Sequence, residues 1–391
     1  MAGAGPLTGV RVLELGNFIA APTAGRLLAD FGAEVIKIER PDGGDELRRW
    51  RLHEGDTSML FHVLGRNKKS VTLDLSTPDG QDTVRRLVRD VDVLLENFRP
   101  GTLEKWGLGP DELQEIQPSL VVVRISGYGQ TGPYRDRPGF GGVAEAVGGL
   151  RAVTGYPGQP PVRVGISLAD SVAGLYAVIG ALMGLLERRS GTGRGEVVDV
   201  ALYEAVYSLM ESLVPDYDAF DVQREPSGAS LPGIVPSNTY LCADGTYIVV
   251  SGNGDAIFTR LMRVIGRPDL ADDPRMRDNE GRSRHAGELD AAIAQWAARH
   301  SLADAESALR AASVPSGPIL TAREILNDPH YAARGMHERR TVRIGIRERD
   351  VAFPGIVPKL RNQPGRIRWL GPDLGSHTGE VLAEPAAGRE D

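Results

Sequence analysis

Cysteine is almost missing from this chain: Cys242 stands alone among 391 residues. A lone thiol rules out an intrachain disulfide and any cysteine-rich metal site, and it suits a reducing compartment, so a cytoplasmic location is expected. The seven histidines include no HExxH and no pair at metal-ligand spacing, and no structural metal is expected. Positive charge is in deficit as well, with 45 Lys and Arg against 52 Asp and Glu, a net charge of −7 and a pI near 5.6. That balance argues against nucleic-acid partners and anionic membranes, both of which select basic surfaces. The fingerprint GxGxxG is lacking from the first strand-to-helix turn, which reads GNFIAAPTAG. A Rossmann-like sheet here therefore need not imply NAD.

Long apolar runs are scarce, with one exception: residues 164–187, VGISLADSVAGLYAVIGALMGLLE. Asp170 opens this run. From Ser171 onward it has almost no polar face, which predicts a helix buried all round rather than an amphipathic one. The run is long enough to span a bilayer. No signal-peptide pattern precedes it, however, and Arg188, Arg189 and the Gly/Arg-rich loop after them read as the end of a soluble helix, so no membrane association is expected. Asp170 admits two readings. It is either a cap, together with Ser167, contributing roughly 1 kcal/mol, or a nucleophile kept ionised by the positive end of the helix.

What is present is ordinary for a soluble protein: 41% apolar residues to build a core and 25% charged ones to solvate it. Residues 9–15 (GVRVLEL), 34–39 (EVIKIE), 70–75, 91–95 and 120–126 read as strands, and segments starting at Pro22, Pro78 and Pro110 as helices between them. This alternation predicts an α/β fold with a large Rossmann-like parallel-sheet domain. A glycine-rich run at 127–149 then follows a strand's carboxyl end, where open α/β sheets bind ligands. Strand 196–200 and helix 201–213 come next, and residues 215–236 read as a linker. Residues 237–320 form a smaller α+β domain, with Gly252 and Gly254 closing its second strand as a hinge or a donor loop. After a second linker at 321–329, residues 330–391 read as extended chain with turns that returns to the large domain made by residues 1–214. The final residues, EPAAGRED, are expected to be disordered.

Nine segments in order carry a resemblance over nearly the whole chain: GVRVLEL with AAP, GAEVIKIERPDGGD, GRNKKSVTLDL, ENFRPGTLEKWGLG, SGYGQTGPY, GISLADSVAG, GTGRGEVVDVAL, VPSGPILTAREILNDPH and LGSHTGEVL. The sequence resembles the class III CoA-transferases, the family of formyl-CoA transferase and carnitine CoA-transferase. The resemblance implies an interlaced homodimer, and coenzyme A and acyl-CoA as substrates with no permanently bound cofactor. It implies that Asp170 is the nucleophile, carrying first the acyl group and then CoA. It further implies that Arg40, Lys68, Lys69, Asn97, Phe98, Arg99 and Lys105 hold CoA. Oxyanions formed along such a path call for backbone N–H donors from glycine-rich segments.

The sequence also departs from that family's formyl-transferring members. Asn17 and Ile19 replace His and Gln, and Phe140 and Gly141 replace Tyr and Glu. With Gly142 and the aromatic Tyr128, these changes predict a roomier, less polar acyl pocket suited to a group larger than formyl. Arg48, Arg49 and Arg51 offer candidates for a second carboxylate, as in succinyl-CoA. An acyl-CoA racemase of the same fold is an alternative, but its chemistry needs an acid/base pair usually including His, and Gly139-Phe140-Gly141 stands where racemases carry Gly-His-Asp. A CoA-binding protein without catalysis is the third reading, disfavoured by the presence of Asp170.

Overall fold

The computed structural model describes residues 5–383 except 192; the tail expected to be disordered, 384–391, lies outside the described residues. The chain divides into two compact units. One comprises residues 1–150, 163–216 and 330–391, the other 151–162 and 217–329. Residues 151–162, which the sequence assigns to the large domain, group with the smaller unit, as do 321–329.

The larger unit is built on a six-stranded parallel sheet in the order β3-β2-β1-β4-β5-β6. Its strands are β1 (Arg11–Glu14), β2 (Glu34–Glu39), β3 (Lys68–Thr72), β4 (Val93–Glu96), β5 (Val121–Ser126) and β6 (Val197–Ala201). Leu13 pairs with Ile36 on one side and Leu94 on the other. Both faces are covered, so β4 and β5 are buried along their whole length, as parallel strands usually are. The chain reverses its winding between β1 and β4, which opens a crevice at their carboxyl ends.

The long helix Leu168–Ser190 packs against β5, β6 and the helix Ala20–Asp30. Small residues let it approach closely. Ala169, Ala173, Ala177 and Ala181 recur every fourth residue on its buried face. A methyl group added at Gly174 would meet Thr23 Cβ at 2.8 Å, and one at Gly180 would meet Val198 Cγ1 at 2.4 Å. The helix is not buried all round. Leu175, Ile179, Met183 and Leu186 are exposed on the opposite face, from 45% to 64%. The segment Leu168–Arg189 is long and apolar enough to cross a membrane by length and composition.

The last part of the unit holds a hairpin absent from the sequence reading: β10 (His337–Ile344) pairs antiparallel with β11 (Arg347–Pro354). Beyond it the chain runs back along the outer edge of β3. Asn67 N donates to Trp369 O at 3.0 Å, Trp369 Nε1 to Lys68 O at 2.9 Å, His377 N to Ser70 O at 3.0 Å and Thr72 N to Thr378 Oγ1 at 2.9 Å. That edge is thereby covered.

The smaller unit carries a three-stranded antiparallel sheet in which β8 (Tyr247–Ser251) lies between β7 (Ser237–Leu241) and β9 (Ser316–Pro318). Helices Asp255–Val264, Ala286–Ala297 and Leu302–Ala311 surround its apolar core, which includes Ile248, Val250, Phe258, Leu289 and Trp296. Cys242 is a free, buried member of that core. Gly252 is a packing glycine: a Cβ there would meet Leu261 Cδ2 at 2.5 Å. Gly254 precedes the helix Asp255–Val264, and the intervening Asn253 O accepts from the buried Arg282 at 2.6 Å.

Candidate active site

Asp170 sits in the first turn of the long helix, two residues beyond its first member. The N-cap Ser167 makes no side-chain cap, and Asp170 accepts instead from its own backbone N–H. A carboxylate here meets the positive end of a 23-residue helix. Its other neighbour is Gly141, at the start of the helix Gly141–Val147. A Cβ on Gly141 would lie 2.0 Å from Asp170 Oδ2. Gly141 therefore does not enlarge an acyl pocket, as the sequence suggests; it makes room for the carboxylate itself. Gly142 follows it in the same short helix.

Burial pushes the Asp170 carboxyl up to about 6, and the nearby charge of Glu145 adds to this. Its own backbone N–H and the guanidinium of Arg163 pull the other way. Glu145 is wholly buried, and its Oε2 lies 3.5 Å from Arg163 Nε.

Asp170 opens onto a cavity of about 230 Å³ at the crevice of the sheet. The walls come from the segments that follow β1, β4 and β5: Phe18, then Asn97, Phe98 and Arg99, then Ser126 and Gly127. The glycine-rich run supplies Arg135, Arg137, Gly139 and Phe140. Sequence reasoning found Asn97, Phe98, Arg99 and Phe140 but missed the two arginines in YRDRPG. Arg137 lies over the Tyr134 ring, 3.5 Å from its centroid, a contact that holds a guanidinium without neutralising it. Phe18 packs tilted on Trp50 at 5.1 Å and edge-on to Phe140 at 6.0 Å. Tyr128 packs between Tyr134 and Tyr203, each at 5.9 Å, behind the cavity walls.

The turn after β1 is held from two sides. Asn97 Oδ1 accepts from Asn17 N at 2.8 Å while its Nδ2 donates to Asn17 O at 2.7 Å, so the Asn97 amide is spent on the turn. From below, Lys37 Nζ donates to Gly16 O at 2.7 Å, and Asp45 Oδ1 accepts from Phe18 N at 3.1 Å. These bonds fix Phe18 at φ +63°, a left-handed conformation that a bulky residue adopts only under constraint. Ile19 is buried in a small apolar cluster with Leu47 and Phe61.

Several cations expected at CoA are committed elsewhere. Lys68 is buried, with its Nζ 2.6 Å from Glu14 Oε2 and 2.9 Å from Pro22 O. Burial lowers its pKa to about 8 against the pull of Glu14. Lys69 bridges Glu34 at 2.6 Å and Glu380 at 2.8 Å. Arg48, a candidate for the second carboxylate, forks onto Glu39 at 2.7 Å through both Nε and Nη2, and stacks on Phe61 at 3.8 Å. Arg40 is exposed and paired with Glu46 at 2.9 Å, and Lys105 is exposed; neither is a cavity wall. Gly252 and Gly254 belong to the smaller unit.

Comparison with known proteins bears on this arrangement. The sequence model of CoA-transferase family III matches residues 7–378. The chain is 48% identical over 384 residues to the succinyl-CoA–D-citramalate CoA-transferase of Chloroflexus aurantiacus, covering 97% of this chain and 94% of that one. It is 35% identical to the succinate–glutarate CoA-transferase of Agrobacterium fabrum, with 97% and 95% covered. Among solved structures, a CAIB/BAIF family protein from Brucella suis superposes with a TM-score of 0.83 at 32% identity, covering 97% of this chain and 99% of the other.

Proposed function

The chain belongs to CoA-transferase family III and is a CoA-transferase acting on acyl-CoA thioesters; from that premise we propose that Asp170 carries the group being moved, between short dicarboxylic acids. The observation that carries the reading is the placement of this one carboxylate. It stands at the head of a long helix, on the crevice between β1 and β4, with Arg99, Arg135 and Arg137 around the same cavity. Those guanidiniums suit the phosphates of CoA, and Phe98 suits its adenine. Relatives named for succinyl-CoA, succinate and glutarate support a dicarboxylic acyl group.

The path needs no group beyond the protein and its substrates. The Asp170 carboxylate attacks the donor thioester carbonyl; the carbon–sulfur bond breaks, the thiolate of CoA leaves, and a mixed anhydride remains. The thiolate attacks the Asp170 side of the anhydride and expels the donor acid, leaving an aspartyl-CoA thioester. The acceptor carboxylate attacks that thioester and expels the thiolate, forming a second mixed anhydride; the thiolate then attacks the acceptor's carbonyl, and Asp170 leaves as the free carboxylate. Each addition forms an oxyanion, and backbone N–H groups of residues 139–142 are assigned to meet it. Raising the carboxyl to about 6 leaves it ionised at neutral pH while making it a better nucleophile than a solvated aspartate.

A second copy of the chain is the proposed cover for the apolar face made by Leu175, Ile179, Met183 and Leu186, in an interlaced homodimer. The unpaired Cys242 supports work in a reducing cytoplasm. A proton-transfer reaction gains no support, since the cavity walls among the described residues include no histidine.

The test is Asp170→Asn. This variant should fold, bind CoA and lose transfer by several orders of magnitude, as expected when a covalent nucleophile is removed. A burial-raised carboxyl costs stability as pH climbs from its unfolded value through about 6, so the neutral amide should melt no lower than wild type at pH 7. Near-normal transfer by Asp170→Asn would end the covalent scheme.

A further inference from the structure

One wall of the Asp170 cavity is a short stretch of irregular chain, Asn97, Phe98, Arg99 and Pro100. It lies between the end of β4 at Glu96 and the short helix Thr102–Lys105, with Gly101 turning the chain at φ +83°. No sheet ladder holds these residues, so their placement depends on side chains behind them. Glu96 is buried; its Oε2 accepts from Phe98 N at 2.7 Å and its Oε1 from Arg124 Nε at 2.8 Å. The same guanidinium donates through Nη1 and Nη2 to Glu104 Oε1 and Oε2, at 2.6 and 3.2 Å. Glu96 precedes the wall segment and Glu104 follows it. Arg124 therefore grips both ends of the stretch.

The grip comes from a rigid place. Arg124 is buried in β5, opposite Glu96 in the parallel register and two residues before the cavity wall Ser126. Only a planar fork with donors on separate edges can hold two carboxylates at once. Glu96, Arg124 and Glu104 are not themselves cavity walls, so they act through the segment they hold. Glu104 is kept below the ordinary carboxylate range: burial would raise it, and the Arg124 hydrogen bonds, its own backbone N–H and the charges of Arg124 and Arg135 outweigh that. Arg135, itself a wall, lies over the turn, where a Cβ on Gly101 would come 3.9 Å from its Nη2. A loop fixed beforehand gives up less freedom when a ligand lands on it.

We propose that Arg124 is a positioning residue for CoA: bound to Glu96 and Glu104, it staples both ends of the segment between them and so holds Phe98 and Arg99 ready for the nucleotide end of CoA. The inference rests on the transfer reading above, which puts CoA on this wall, and deepens it by naming what sets the wall's shape. Charge alone makes the opposite forecast for one variant. Glu104 is an anion close to arginines assigned to phosphates, so if it acted only through its field, its removal would tighten CoA binding. Acting as one arm of the staple, it weakens CoA binding when removed.

The experiment uses the full chain and two donors, succinyl-CoA and succinyl-pantetheine, each exchanged against isotope-labelled succinate and followed by mass spectrometry. The second donor has the thioester but no nucleotide. In Arg124→Gln, the ratio of kcat/KM for succinyl-CoA to that for succinyl-pantetheine should fall roughly 10- to 100-fold, the scale of losing a preorganised binding loop. The loss should lie in KM for succinyl-CoA. Glu104→Gln cuts one arm and should move the ratio the same way by a smaller factor. Its side chain is 41% exposed, so this variant keeps the fold and decides the matter if melting curves show Arg124→Gln unfolded. A ratio unchanged or raised in Glu104→Gln, or a loss in folded Arg124→Gln that strikes both donors equally, would overturn the assignment. Equal use of the two donors by the wild type would overturn the placement of CoA, and transfer from neither would overturn the transfer reading, so the failures are distinguishable.

Discussion

Two of the regions in which the larger unit buries charge treat it oppositely. Beneath the first turn, Glu14 joins Lys37 and Lys68 at 3.0 and 2.6 Å, Lys37 joins Asp45 at 2.8 Å, and Arg48 forks onto Glu39. Each acid there faces a cation. Lys37 shows the consequence: burial alone would depress it, yet Asp45, Glu14 and Glu39 hold its pKa above the ordinary lysine value. Around Asp170 burial, with the charge of Glu145, pushes the carboxyl up to about 6, and its own backbone N–H and Arg163 offset only part of this. A buried charge held by close partners gives rigidity, and a carboxylate that burial keeps destabilised gives reactivity. The first region also serves the second, because Lys37 and Asp45 fix the turn that carries Phe18 into the cavity.

The sharpest way to break this contrast is Glu14→Gln, which leaves two buried lysines short of an anion. Loss of one partner in a buried network costs about 3–5 kcal/mol, to be measured by urea unfolding. A cost under 1 kcal/mol would mean that the network is not the rigid floor described. Next in size is Arg137→Ala, expected to weaken CoA binding roughly 10- to 100-fold in calorimetry at low salt, with a smaller gap at high salt. Arg40→Ala, at an exposed pair with Glu46, is the contrasting control, with an effect below about 1 kcal/mol on stability. The gentlest probe is pH. Protonation of Asp170 removes the nucleophile, so kcat/KM should fall below about pH 6, by roughly tenfold per unit, as protonation of a single essential group requires. A limb near pH 4 would place Asp170 among ordinary solvated carboxylates.

Much of this was legible in the residues. Alternating apolar strands and Pro-started helices foretold the parallel sheet, and the lone acid at the head of an apolar run marked Asp170 as either a cap or a nucleophile. The hairpin at 337–354 was hidden because its strands are rich in Arg, Glu and Asp, and most of their positions are not buried, so no apolar alternation marks them. Lys68 was misplaced by its motif although strand parity offered a signal: it shares a buried face with Ser70 in β3, and Lys37 stands among Val and Ile in β2. Glu145 and Arg163 had no local signal. They lie 18 residues apart in unremarkable glycine- and proline-rich sequence, and only the packing of the short helix against Asp170 brings them together.

The segment that covers β3 is synthesised long after the strand it covers. Residues 366–378 reach Asn67, Lys68, Ser70 and Thr72 from some three hundred positions away, and the whole smaller unit, 151–162 and 217–329, is made before them. On a ribosome the smaller unit can close on itself while the larger one waits with an open strand edge. That edge is a template for pairing with other chains until its own cover arrives. A stalled or truncated product ending near residue 360 would therefore carry a finished small unit and an unguarded β3, and its fate would be aggregation rather than partial activity.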